Sequence, residues 1–147
     1  MKTQAVMCLL VSLFVLGSCT TVTTSGEPIV FNDSLPDDEI AIIYFNSMVS
    51  IVGYNDIQVN WKGVFFSARE IRIPGGSAQF ILNGTTGSAN IGYTTYRNVP
   101  FTYNFEKGKE YTMLINQNLI FIFNGKTMSN KELLAQFNMS HGQTRVK

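Results

Sequence analysis

A chain of 147 residues with 11 Lys+Arg, 10 Asp+Glu and a single histidine carries a formal net charge of +1, and its length is one domain's worth, enough to bury a real core. The near balance of charge excludes the basic patch that nucleic-acid binding needs, because the cations are scattered from Lys62 through Arg69, Arg72 and Arg97 to Lys147. Both cysteines, Cys8 and Cys19, lie near the start, so everything after residue 19 lacks a thiol, a disulfide or a cysteine metal ligand and must rely on packing.

The chain opens with Lys2, then residues 5–16, apolar apart from Ser12, then Leu16-Gly17-Ser18-Cys19. A charged start, a short apolar run and a small-residue cleavage site make a secretory signal over residues 1–18. A spanning helix needs about 20 apolar residues, and this run stops short of that before the polar stretch Thr20-Thr21-Val22-Thr23-Thr24-Ser25-Gly26.

Leu16-Gly17-Ser18-Cys19 resembles the lipobox of bacterial lipoproteins. The resemblance implies that Cys19 becomes the first residue of the mature chain and its lipid attachment site, diacylated (with palmitate-like chains) on sulfur and usually acylated on nitrogen too. One acyl chain binds a membrane reversibly, whereas two or three hold almost permanently. It further implies a cell-envelope protein, and Thr20 in place of an aspartate after the cysteine implies the outer membrane in a Gram-negative host. Loss of Lys2 would leave ten basic against ten acidic residues.

Residues 19–38 read as the lipidated N-terminus and a flexible tether, rich in Thr, Ser, Gly and Pro. Asp33, Asp37, Asp38 and Glu39 there read as a solvated linker and not as a cation site; Ile29-Val30-Phe31 could dock as an edge strand. The folded domain is expected over residues 39–138. Ile40-Ala41-Ile42-Ile43-Tyr44-Phe45 is an apolar, β-branched run, expected as a central strand buried on both faces. Residues 47–55 read as a loop around Gly53. Ile57, Val59 and Trp61 alternate with Gln58 and Asn60, predicting a half-buried strand that turns at Lys62-Gly63 into Val64-Phe65-Phe66. Ile71 and Ile73 begin another strand, Pro74-Gly75-Gly76 ends it, and Ala78-Gln79-Phe80-Ile81-Leu82 returns to the sheet.

Residues 83–90 are Asn, Gly, Thr and Ser rich and read as a long loop or loose hairpin feeding Tyr93-Thr94-Thr95-Tyr96. Phe101, Tyr103 and Phe105 alternate with polar residues, Lys107-Gly108 turns, and Tyr111, Met113 and Ile115 alternate again, predicting a hairpin. Leu119-Ile120-Phe121-Ile122-Phe123 is a further strand ended by Asn124-Gly125. Ser129 as N-cap with Glu132 three residues on, and Met128 facing Leu133, predict a short C-terminal helix with the stripe Leu133, Leu134 and Phe137. Residues 139–147 read as a frayed tail.

Seven or eight short strands joined by Gly-rich turns predict an all-β fold, an antiparallel β-sandwich with one short C-terminal helix. Val59-Asn60-Trp61-Lys62-Gly63, Ile73-Pro74-Gly75-Gly76 and Phe105-Glu106-Lys107-Gly108-Lys109-Glu110-Tyr111 together resemble small transthyretin-like or PEGA-like envelope domains. Their signatures are a strand-Asn-Gly-Lys turn, a Pro-Gly turn before a strand, and a Gly-Lys-x-Tyr hairpin. The resemblance implies a sandwich over roughly residues 40–115 and carries little about function.

Residues suited to catalysis are sparse. His141 falls in the tail, and without a second histidine or a mature cysteine neither a zinc site nor Cys-His catalysis can be assembled. Gly75-Gly76-Ser77 and Asn83-Gly84-Thr85-Thr86-Gly87 lack the Lys-Ser/Thr ending of a phosphate cradle. Carboxylates for glycoside chemistry could come only from Asp56, Glu70, Glu106 and Glu110, two of which flank a turn. The expectation is a non-catalytic protein with no cofactor and no metal. It would be either a membrane-anchored binding module for a protein or glycan partner or a structural component of an envelope complex. For the former, Tyr93, Tyr96 and Arg97 are the candidate anchors, since Tyr and Arg are enriched where binding energy concentrates. The alternative is that both tyrosines are ordinary strand residues with one face packed on the core.

Overall fold

The computed structural model describes residues 20–24, 28–45, 48–61, 69–90, 92–126, 132–139 and 143–146. Within them lie β1 (Thr21–Thr24), β2 (Ile29–Val30), β3 (Ile40–Phe45), β4 (Val49–Tyr54), β5 (Ile57–Trp61), β6 (Arg69–Pro74), β7 (Gly76–Ser88), β8 (Gly92–Phe105), β9 (Glu110–Asn116), β10 (Leu119–Asn124), β11 (Leu133–Asn138) and β12 (Gln143–Val146). One sheet has the order β1-β5-β4-β7-β8 and the other β12-β11-β10-β9-β3-β6-β2. The two pack over one core, a sandwich-like all-β arrangement in agreement with the expected class.

Alternation explains which faces meet. Ala78, Phe80 and Leu82 of β7 and Val99, Phe101 and Phe105 of β8 point into the core, as do Ile43 and Phe45 of β3, Tyr111 and Met113 of β9, and Ile120 and Ile122 of β10. Rings close the seam between the sheets, with Phe101 and Phe137 at 4.7 Å and Phe105 edge-on to Tyr111 at 5.0 Å.

Several expectations need correction. The described strands number twelve rather than seven or eight; β1, β4, β11 and β12 were not expected, while β2, at the end of the seven-stranded sheet, is the edge strand that Ile29-Val30-Phe31 could supply. No C-terminal helix forms over the described part of its expected span, because Leu133–Asn138 is β11, paired antiparallel with β10 on one side and with β12 on the other. A helix of about nine residues is marginal alone, whereas the edge of β10 offers backbone partners and a core face that takes Ala135, Phe137 and Met139 at every second position. Pairing thus overrides local propensity. The same pairing gives order to the expected tail, where Gln143–Val146 is β12. Most of the expected loop is strand β4, Val49–Tyr54, since Val49 and Ile51 are fully buried there and Asn55-Asp56, with Asn55 at φ 47°, turns tightly into β5. Strand β3 is interior, between β9 and β6, but only one of its faces is fully buried.

The hairpin expected across Lys107-Gly108 is instead an arch. Strand β8 pairs with β7 in one sheet while β9 pairs with β10 and β3 in the other. Glu106 N–H donates to Tyr111 Oη at 2.7 Å, Gly108 N–H donates to the Ile40 carbonyl at 3.0 Å, and Lys107 pairs with Glu39. Phe105 and Tyr111 therefore face each other across the core instead of along one sheet. The expected Lys62-Gly63 turn, the Val64-Phe65-Phe66 strand, the Met128 and Ser129 signals and His141 lie outside the described residues, as does Cys19. Two strands, β1 and β2, fall inside the expected tether. Both pair in parallel, with β5 and β6 respectively, and Phe31 N–H donates to the Arg72 carbonyl at 3.0 Å.

On the outer face of β3, Tyr44 donates its hydroxyl to Glu110 Oε1 at 3.0 Å, and Lys126 Nζ sits 4.7 Å from the ring centroid. Burial first, then the Glu110 hydrogen bond, pushes the Tyr44 phenol up to about 12 from its ordinary 10.0. A raised folded pKa stabilises the fold fully below the unfolded value, and this contribution is lost as pH climbs through the folded one. Stability should accordingly decline between pH 10 and 12, and Glu110→Gln should lower the Tyr44 pKa. Titration of phenolate absorbance in the parent and the variant measures this; an unchanged Tyr44 midpoint would refute the coupling.

Candidate functional site

Two features of the five-stranded sheet stand apart from the core. The first is the far end of the β7–β8 hairpin. Ser88 pairs with Gly92, Gly87 with Tyr93, Thr86 with Thr94, Thr85 with Thr95 and Gly84 with Tyr96. Beyond Gly84 no residue of β7 is buried, and none is buried from Gly92 to Asn98 of β8, so this stretch is an arm projecting off the sandwich. Of the two expectations, a long loop or a loose hairpin, the structure has the hairpin, and its strands form a regular ladder, for which Thr and Tyr are good strand formers. Gly87 is required where it stands. Its φ of 119° suits only glycine, and a Cβ there would run into the Gly92 carbonyl oxygen.

The arm separates the three candidate anchors. Three residues apart on an unbroken ladder, Tyr93 and Tyr96 must face opposite ways. Tyr93 is 67% exposed, whereas Tyr96 is half-buried and packs against the core. Arg97 is exposed, in a bulge where β8 has one residue more than β7 between the pairs Leu82–Val99 and Gly84–Tyr96. Asn98, at φ 51°, turns that bulge and donates its N–H to Asn83 Oδ1 at 2.9 Å. The structure thus sets Tyr93 and Arg97 on the surface and assigns Tyr96 to packing.

The second feature is a groove of about 470 Å³ on the face of this sheet turned away from the other, a volume within the range of small-ligand sites, lined by Thr21 of β1, Val52 and Gly53 of β4, Gln58 and Asn60 of β5, Ile81 and Asn83 of β7, and Asn98. Its floor is close-packed. A Cβ on Gly53 would lie 3.1 Å from that of Ile81, so glycine lets the Ile81 side chain lie flat across β4. Its rim is made of carboxamides, with Asp56 the one carboxylate in the lining. Two rim amides are already engaged: Asn55 Oδ1 accepts the Gln79 N–H at 3.1 Å, and Asn83 Oδ1 holds the bulge. This groove is not marked in the sequence because its residues come from five strands and no local motif unites them; the only signal was the density of Asn and Gln on outward positions.

Among the described residues no three of His, Cys, Asp and Glu converge to hold a metal ion, and no helix is long and apolar enough to cross a membrane. The Asp56, Glu70, Glu106 and Glu110 carboxylates fall on different elements, with Glu70 bound to Arg72 Nε at 2.7 Å and Glu110 to Tyr44. No family model, curated protein or solved structure matches the chain.

Proposed function

We propose that this chain is a lipid-anchored protein of the bacterial cell envelope, held through Cys19 to a leaflet, in the outer membrane if the host is Gram-negative. In this reading it acts as a non-catalytic binding module for a protein or glycan partner. The observation that carries the binding reading is Tyr93: a large aromatic ring kept two-thirds exposed on a backbone already ordered by a full ladder. An aromatic held rigid before contact loses little entropy on binding, which is why such side chains dominate interface energetics. Arg97, exposed beside the bulge, supplies a cation to the same surface. The alternative of a structural component joined through a sheet edge is less well supported. Among the described residues the five-stranded sheet ends at the four-residue β1 and at β8, and short edge strands, like Pro100 and Arg97 on β8, blunt edge-to-edge pairing.

Two experiments test this. Tyr93→Ala should leave the melting temperature within a degree or two yet weaken retention of partners from envelope extracts by tenfold or more, on the order of 1.4 kcal/mol. Tyr96→Ala should instead lower stability by a few kcal/mol, less than the roughly 3–5 expected of a fully buried ring. Equal partner retention by the parent and Tyr93→Ala would remove the site. For the anchor, Cys19→Ala should block processing and abolish partitioning into a detergent phase; a normally cleaved, detergent-phase product from that variant would refute lipidation.

A further inference from the structure

The described chain begins at Thr20, one residue past the proposed anchor. The Thr20 carbonyl accepts the Gln58 N–H at 2.8 Å, and Thr21, Val22, Thr23 and Thr24 then run in register with Gln58, Val59, Asn60 and Trp61. Consecutive α-carbons are about 3.8 Å apart, so Cys19 is within one residue of a backbone hydrogen bond to the domain. Had residues 19–38 been a free coil, their root-mean-square span would be about 25 Å, and the domain could tumble over the membrane. A strap one residue long forbids that.

The register also says which end of the domain faces the leaflet. Because β1 is parallel to β5, its N-terminus lies beside the Asn55-Asp56 turn that begins β5. Thr21, Gln58, Gly53, Ile81 and Pro100 are level with one another across the sheet. From Ile81, β7 runs to Ser88 in the direction away from that turn, a rise of about 23 Å at ~3.3 Å per residue. Thr20 lies on the other side of that level, and two residues of chain reach at most about 7 Å.

We propose that Thr20 and β1 form a strap that seats the Asn55-Asp56 end of the five-stranded sheet on the headgroups of the leaflet and holds the tip of the β7–β8 arm about 30 Å above it. This rests on the lipid-anchored reading of Cys19. The membrane surface is the partner of one end of the sheet, and the exposed Tyr93 is displayed at the other, at a height set by strand length. The amide-lined groove, with Thr21 in its wall, opens between the two.

The test uses the processed full chain in phosphatidylcholine vesicles carrying a headgroup-linked energy acceptor, with a donor on Ala89→Cys at the exposed tip, the only free thiol once Cys19 is acylated. The expected result is one narrow distance distribution centred near 30 Å. A flexible Gly/Ser insertion of about ten residues between Cys19 and Thr20 should broaden it and move its mean outward. A parent distribution as broad as that of the insertion variant, or a tip lying at the headgroups, would overturn the proposal. If the chain stays in the aqueous phase with Cys19 unacylated, the anchored reading itself has failed and the proposal with it. Hydrogen exchange at the Gln58 amide of that soluble chain then locates the fault, since protection shows a docked strap without an anchor and rapid exchange shows that the strap is absent too.

Discussion

Phe80→Ala is expected to lower unfolding stability by about 3–5 kcal/mol, against the 5–15 kcal/mol that a domain of this size has in total. Phe80 is fully buried and sits in the middle of a row across three strands, where Tyr54 of β4 is its register partner on one side and Phe101 of β8 on the other. Its ring centroid lies 5.4 Å from each of theirs and 5.8 Å from that of Phe105, while Tyr54 in turn stacks on Phe31 at 4.2 Å. Removing the central ring leaves a hole walled by rings on hydrogen-bonded strands, which cannot collapse into it, and the cost rises with the volume that stays empty. The gentler Phe80→Leu should cost distinctly less, because it keeps most of the volume. Urea unfolding followed by tryptophan fluorescence and far-ultraviolet circular dichroism measures both. A loss below about 1.5 kcal/mol for Phe80→Ala would mean that the aromatic row is not the core it is described to be.

The parts of this fold that could be read from sequence are those that depend on period alone. The strands β5, β7, β8, β9 and β10 each announce themselves by alternation or by an apolar run, and the buried set follows from which parity carries the large side chains. Alternation does not say to which sheet a strand belongs. Phe101 to Phe105 and Tyr111 to Ile115 would look the same in a hairpin or in an arch, and it is the Glu106 and Gly108 hydrogen bonds to Tyr111 and Ile40 that make it an arch. Strand β4 was hidden because Ser50 and Gly53 dilute its apolar residues, and Gly53 is there for the close approach of Ile81, a contact from another strand. In the site, the spacing of Tyr93 and Tyr96 already implied opposite faces for a strand; what could not be read was that Gly84 to Ser88 would supply the ladder that makes it one. The groove was illegible for the same reason, since its walls meet only after five strands have paired.

Ala135→Asp should be as damaging as the loss of Phe80, and it decides what the C-terminal segment is. On a helix whose stripe is Leu133, Leu134 and Phe137, position 135 points away from that stripe toward solvent, where an aspartate costs a few tenths of a kcal/mol in propensity. On β11, Ala135 shares the face of Phe137 and Met139, is 1% exposed, and pairs with Ile122 of β10. An unpaired carboxylate there must be buried without a partner or drag the strand out of the sheet, at a cost of several kcal/mol. Leu134→Asp, one residue away, serves as the control: Leu134 is the extra residue of β11 between the pairs Ile122–Ala135 and Phe123–Leu133 and is only half-buried at the margin of the core, so a carboxylate there can still reach water and should be better tolerated than at position 135, whereas the helical stripe would make it the worse of the two. The order of the two urea midpoints is therefore the measurement, and it does not depend on either absolute value. Loss of β11 would also strand β12, whose one partner among the described strands is β11, so exchange protection of the Thr144 and Arg145 amides should fall with that of Gln136 in Ala135→Asp. Tolerance of Ala135→Asp combined with collapse of Leu134→Asp would restore the helix.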